Sequence, residues 1–204
     1  HKPPSGAPLS WTSSETNPGQ KRLAFEELLA HRLCMRRFRN VSDEQKAPML
    51  KAKAQLLSTF LKSLPFTLTN AQQKTYREIS NDLNGACPML RLLQGDVGSG
   101  KTVVAALTAL HAISCGYQVA LMAPTEILAE QHLTNFGQWF TPLGINVGWL
   151  SGKTKGASRT QQLLELTNGE CQLLIGTHAL FQDEVIYKKL GLIIIDEQHR
   201  FGVH

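Results

Sequence analysis

The stretch GDVGSGKT, Gly95 to Thr102, constrains the fold more than any other part of the 204-residue chain. It satisfies G-x-x-x-x-G-K-[ST], with apolar MLRLLQ before it and an apolar helical run from Lys101 after it. That is the strand, loop and helix context in which the pattern cradles phosphate. Glycines at 95, 98 and 100, with Asp96, Val97 and Ser99 between them, let successive backbone N–H groups turn inward onto phosphate oxygens. The helix opening at Lys101 adds its positive end. Lys101 supplies a point charge for the β- and γ-phosphates, and Thr102 offers a hydroxyl to Mg²⁺. The chain is therefore expected to bind ATP with Mg²⁺.

Such a site needs a carboxylate at the end of another buried strand. LGLIIIDEQH supplies one: Asp196 leaves the strand toward the cleft and Glu197 follows it. Two adjacent acids allow Asp196 to position the metal while Glu197 orients and deprotonates a water. This division of labour points to hydrolysis, and no acceptor pocket of a kinase is visible.

From residue 66 onward, apolar runs alternate with helical stretches: MLRLLQ, a helix from Lys101, YQVALMA, a helix from Glu126, NVGWL, a helix near 157–167, CQLLIGT and LGLIIID. Near-continuous apolar strands separated by helices predict an α/β fold with a mostly parallel sheet covered on both faces. Residues 1–20, rich in Pro, Ser, Gly and Thr, read as a linker. KRLAFEELLAHRLCMRRFRN reads as a helix with Phe25, Leu28, Leu29, Leu33 and Met35 on one broad face, interrupted by Arg32 and Arg36. A second helix is expected within residues 43–63, ending before Pro65.

The net charge of +5 is unevenly distributed. Residues 1–63 carry 11 Lys+Arg against 5 Asp+Glu, whereas residues 64–204 carry 10 against 11. The N-terminal excess suits a polyanion such as nucleic acid, although a solvated basic helix accounts for it equally well. Cys34, Cys87, Cys115 and Cys171 lie far apart, which predicts buried free thiols rather than a metal or redox pair. No apolar run is long enough to span a membrane, and the start has no signal-peptide core. A cytoplasmic location without membrane contact is expected.

DEQH after an apolar strand, about 95 residues beyond the P-loop lysine, resembles superfamily-two helicases and translocases. The strings LLQGDVGSGKTVVA, APTEILAEQH, IGTHALFQDEV and IIIDEQHRFGV narrow the resemblance to the RecG family, bacterial ATP-dependent DNA helicases that remodel branched DNA in recombination and repair. It covers about residues 21–204. The transcription-repair coupling translocases share the P-loop and the acidic box.

The resemblance implies a RecA-like lobe over residues 64–204, preceded by a basic helical connector over 21–63. It also assigns site residues. LPFTLTNAQ resembles the adenine-recognition segment, with Phe66 near the base and Gln72 reading its edge, Gln73 being the alternative. An amide donates and accepts at once, which suits adenine. The same string also reads as a helix start capped by Thr69 or Asn70. Pro124, Thr125 and Glu126 resemble the motif that touches the DNA backbone. LSGKTKG, through Gly152 and Lys153, and GTHAL, through Thr177 and His178, are similar to further elements along the DNA groove. Gln198 and His199 would link the γ-phosphate to the DNA side.

The same family pattern continues with a Ser/Thr-Ala-Thr strand, a second RecA-like lobe and a wedge domain, so the chain is expected to be a fragment whose sheet is incomplete. Branched or forked DNA and those further domains are the implied partners. The competing reading is a nucleotide-gated P-loop binding or assembly module without DNA-motor activity.

Overall fold

A computed structural model describes residues 21–30, 32–33 and 46–197. The chain divides into two compact units, His1–Lys46 and Ala47–His204. Of the first unit, residues 21–30 and 32–33 are helical, as the sequence pattern predicts, and Arg22 pairs with Glu26 one turn on at 3.0 Å. Met35 and Arg36 lie outside the described residues.

The second unit contains five α-helices and four strands among its described residues: α1 (Ala54–Ser63), α2 (Asn70–Leu83), α3 (Lys101–Ser114), β1 (Gln118–Met122), α4 (Glu126–Phe140), β2 (Val147–Leu150), α5 (Gly156–Asn168), β3 (Leu173–Gly176) and β4 (Leu190–Ile195). Local chemistry sets their ends. Leu64, just before Pro65, is extended at ψ 138° and stops α1, because the proline ring excludes the helical region for its predecessor. Thr69 opens α2 with a full capping box: its hydroxyl accepts from Gln72 N–H while the Gln72 side chain accepts from Thr69 N–H. Thr125 caps α4 through Leu128 N–H. Gly169, at φ 79°, closes α5 in the left-handed conformation that favours glycine.

The strands are parallel and lie in the order β2-β3-β1-β4. Alternation along them feeds two cores. Val119, Leu121, Leu173 and Ile175 face a large core that also takes Phe60 of α1, the apolar side of α3, and Ala129, Phe136 and Phe140 of α4. Met122, Leu150 and Leu174 face a smaller core closed by Leu166 of α5 and by Ala179 and Leu180 of a 3₁₀ turn. The expected α/β architecture, helices on both faces of a parallel sheet, is observed. Gln118 joins its parts from a buried position: its amide donates to Leu166 O and Cys171 O, both at 2.8 Å, and accepts from Lys189 N–H at 2.9 Å.

Two expectations are corrected. MLRLLQ forms no strand, and residues 88–96 have no regular structure. A strand needs a ladder partner, and neither β4 nor any other described strand pairs with this segment. Met89 and Leu93 still pack on the core, while Leu90 and Leu92 are 73% and 68% exposed. Cys87 is exposed rather than buried, whereas Cys171 is buried and free, its thiol pushed up to about 12 by desolvation. No described helix is long and apolar enough to cross a membrane.

Candidate functional site

The phosphate-loop residues come together at the start of α3, which packs on β1 and β4. Gly98 and Gly100 adopt φ +81° and +79°, a conformation costly for any residue with a Cβ. Gly100 is the residue before α3, so the loop meets the helix in a left-handed turn. Ser99 N–H donates to Asp96 O at 3.1 Å, and Val97 at the loop tip is fully exposed. The Lys101 ammonium donates to Gly95 O at 2.6 Å and Asp96 O at 2.9 Å. The lysine is thus wrapped by its own loop.

Gln72 does more than cap α2. Its Nε2 donates to Ser99 O at 3.0 Å, while its Oε1 accepts from Thr69 N–H at 2.9 Å. A Cβ on Gly100 would lie 2.3 Å from that Nε2. Gln72 therefore clips the phosphate loop to the start of α2, using both ends of its amide. Gln73 is committed to Leu68 O at 3.1 Å, and Phe66 is 46% exposed.

Asp196 and Glu197 follow the C-terminal end of β4. Asp196 N–H donates to Met122 O at 2.8 Å, continuing the ladder onto β1. Its carboxylate Oδ2 accepts from His132 Nε2 at 2.6 Å, and Oδ1 accepts from Glu197 N–H at 3.0 Å. The His132 hydrogen bond is the main cause that holds the Asp196 carboxyl below its usual range, with smaller help from the Glu197 N–H and the charge of Lys101, against the opposing effect of burial. Glu197 has φ 51°, a left-handed backbone uncommon outside glycine. Gln198 and His199 lie outside the described residues.

Of the residues expected along a DNA groove, Pro124, Thr125, Glu126 and Lys153 come together at the start of α4. Pro124 precedes the cap, Thr125 accepts from Leu128 N–H at 3.3 Å, and Glu126 is ion-paired with Lys153. That contact holds the Glu126 carboxyl down and the Lys153 ammonium up. Glu126, Glu130, Trp149, Ser151, Lys153 and Thr154 line a cavity of about 440 Å³. Gly152, in the loop between them, has no atom within 4 Å of where a Cβ would stand. Thr177 N–H reaches Leu150 O at 3.4 Å, and His178 opens the 3₁₀ turn His178–Phe181.

His132 is the site residue that sequence reasoning left unassigned. Its signal was present: Ala129, His132, Phe136 and Phe140 follow one another at helical spacing, so a polar ring sits in a buried apolar stripe.

The sequence profile of the DEAD/DEAH box helicases matches residues 69–204. The chain belongs to the DEAD/DEAH box helicase family. It is 56% identical over all 204 residues to the ATP-dependent DNA helicase RecG of Pasteurella multocida and 53% identical to that of Escherichia coli K12, spanning 29% of each relative. The chain thus corresponds to less than a third of these proteins. A solved structure described as RecG bound to a three-way DNA junction superposes at TM-score 0.82 with 46% identity, over 89% of this chain and 25% of that one. The UvsW helicase of bacteriophage T4 matches at TM-score 0.51 and 16% identity, over 73% of this chain and 52% of that one. At that identity the likeness shows the fold alone; that the fold is a RecA-like helicase lobe rests on the family match and the RecG structure.

Proposed function

We propose that this chain is the ATP-binding first motor lobe of a RecG-like helicase that uses ATP hydrolysis to remodel branched DNA in recombination and repair. The observation that carries the reading is the phosphate loop itself, with Gly98 and Gly100 in left-handed backbone and Lys101 opening α3, in a chain that matches the helicase profile. The similarity to RecG helicases across the whole chain supports it.

Gly95 to Thr102 bind the phosphates in this reading. Phosphate oxygens are stronger acceptors than the carbonyls of Gly95 and Asp96, so they draw Lys101 away from them. Phe66 lies near the adenine, and Gln72, or Gln73, reads its edge by exchanging its present hydrogen bonds to the backbone for the base. Thr102 and Asp196 are hard oxygen donors and suit Mg²⁺. Among the described residues no three His, Cys, Asp or Glu side chains form an all-protein metal cage, and Mg²⁺ characteristically shares its ligands with substrate phosphates. When bound, the metal neutralises charge on the phosphate oxygens. Glu197 orients the attacking water and accepts its proton, and Gln198 and His199 relay the state of the γ-phosphate.

Pro124, Thr125, Glu126, Gly152, Lys153, Thr177 and His178 form the DNA-facing edge. Contacts of this kind, from a helix start and a lysine loop, hold the phosphate backbone without reading base sequence. A linker over 1–20 and a connector over 21–63, whose last helix α1 packs into the core of the lobe through Phe60, lead into the lobe over 64–204. A second RecA-like lobe closes on the nucleotide and a wedge domain engages the fork, both in the longer protein.

The test is ATP turnover of that longer protein with and without forked DNA. DNA is expected to raise the rate, and Glu197→Gln to lower it by on the order of 10²–10⁴-fold, as loss of a general base does. Equal turnover with and without DNA would leave the nucleotide-gated module as the better account.

A further inference from the structure

We propose that His132 is a positioning residue that ties Asp196 to helix α4, so that the end of the helix facing DNA and the carboxylate facing Mg²⁺ move as one unit. The inference rests on the assignment of Asp196 to the metal side of the site.

His132 lies in the buried stripe of α4, three residues after Ala129 and four before Phe136, both 0% exposed. Its ring meets that of Phe136 edge-on, with centroids 6.1 Å apart at 70°, and its side chain is 14% exposed. Burying an imidazole among aromatic neighbours is costly unless its nitrogens find partners. His111, elsewhere in the same unit, meets that requirement fully: Nδ1 bonds Tyr76 OH at 3.1 Å and Nε2 bonds Leu50 O at 2.6 Å.

His132 does not. Its Nδ1 is buried and has no hydrogen-bond partner among the described residues, so one lone pair is given up for the bond made by the other nitrogen. That bond goes to Asp196 Oδ2, and the ionised carboxylate only accepts, which places the hydrogen on Nε2. A half-buried ring whose only polar contact among the described residues is this one is suited to orienting the group it contacts.

The connection has a direction. From Thr125 to His132 is seven residues, about 10 Å along the axis at roughly 1.5 Å per residue, and the cap hydrogen bond of Thr125 makes the helix continuous from its first turn. A push on Thr125 or Glu126 is therefore transmitted along α4 to Nε2 and from there to Asp196. In the other direction, drawing Asp196 toward a metal loads α4.

Three substitutions in the full-length protein separate this role from simple packing. In His132→Gln the amide nitrogen reaches the place of Nε2; in His132→Asn it stops near Nδ1; His132→Leu fills the space without a donor. Affinity for a fluorescent ATP analogue is measured with Mg²⁺ and with EDTA, and kcat and KM for ATP with and without forked DNA. The Asn and Leu variants are expected to lose roughly tenfold of the Mg²⁺-dependent gain in nucleotide affinity, the scale of an outer-sphere partner, with EDTA affinity unchanged and a reduced stimulation of kcat by DNA. The Gln variant is expected to keep both. Should one variant fail to fold, the contrast between Gln and the remaining one still reads the result. Identical behaviour of Gln and the donor-less variants overturns the proposal. Wild-type protein without DNA stimulation overturns the helicase reading instead, and the Mg²⁺ measurement, which needs no DNA, then still judges His132.

Discussion

Gly98 and Gly100 offer a matched pair for measuring what Gln72 contributes to the phosphate loop. Their φ angles are +81° and +79°, so alanine meets the same backbone penalty at each, but a Cβ on Gly98 has nothing within 4 Å whereas one on Gly100 lies 2.3 Å from Gln72 Nε2. Left-handed backbone costs an L-residue about 1–2 kcal/mol, and this is the whole expectation for Gly98→Ala. Gly100→Ala must also expel the Gln72 amide, breaking its 3.0 Å bond to Ser99 O and disturbing its 2.9 Å bond from Thr69 N–H. At ~0.5–1.5 kcal/mol per hydrogen bond, and at the low end because both bonds are exposed, the added loss is about 1 kcal/mol. The assay is denaturant unfolding of each purified variant with a nucleotide titration alongside. Gly100→Ala should fall about 2–3 kcal/mol below wild type in total. Adding Gln72→Ala to it should cost little more, since the bonds are already gone. Equal losses for the two glycine variants, within about 0.5 kcal/mol, would refute the clip between Gln72 and the loop.

Burial lowers the pKa of His111 below its usual 6.5. Below that pH the unfolded chain takes up a proton that the folded one resists, so stability is full above about pH 6.5 and falls as pH drops toward the folded value, by at most about 1.4 kcal/mol per pH unit. His111→Gln retains a donor for Leu50 O and should flatten this slope in denaturant midpoints measured from about pH 7 down to about pH 5; an unchanged slope would remove His111 as its source. Phe60 is 0% exposed and meets Trp139 and Phe140 edge-on at 6.0 and 6.1 Å, so Phe60→Ala should destabilise by ~3–5 kcal/mol. A loss under about 1 kcal/mol would mean that α1 is not integral to the core.

Much of the site could be read along the chain because its determinants are local. The reach of a capping hydroxyl or a left-handed glycine is three or four residues, so Thr69, Thr125 and the loop from Gly95 to Thr102 announce their own helix starts. Asp196 and Glu197 are legible for the same reason: an unbroken apolar strand must release its first polar residues at its end. MLRLLQ shows the limit of this logic. Its residues have strand character, but a ladder needs a neighbour, and whether one is present is not a property of the segment.

The contacts that turn these pieces into a site span distances along the chain that no local pattern encodes. His132 meets Asp196 across 64 residues, Gln72 meets Ser99 across 27, and Lys153 meets Glu126 across 27. The first and third depend on the placing of β1 between β3 and β4 and on α4 packing against β2 and β3, the second on α2 packing against α3. Residue types and caps reveal which groups are available for chemistry. Which of them touch is settled by core packing, because only burying the two faces of the sheet repays the entropy of closing such long loops.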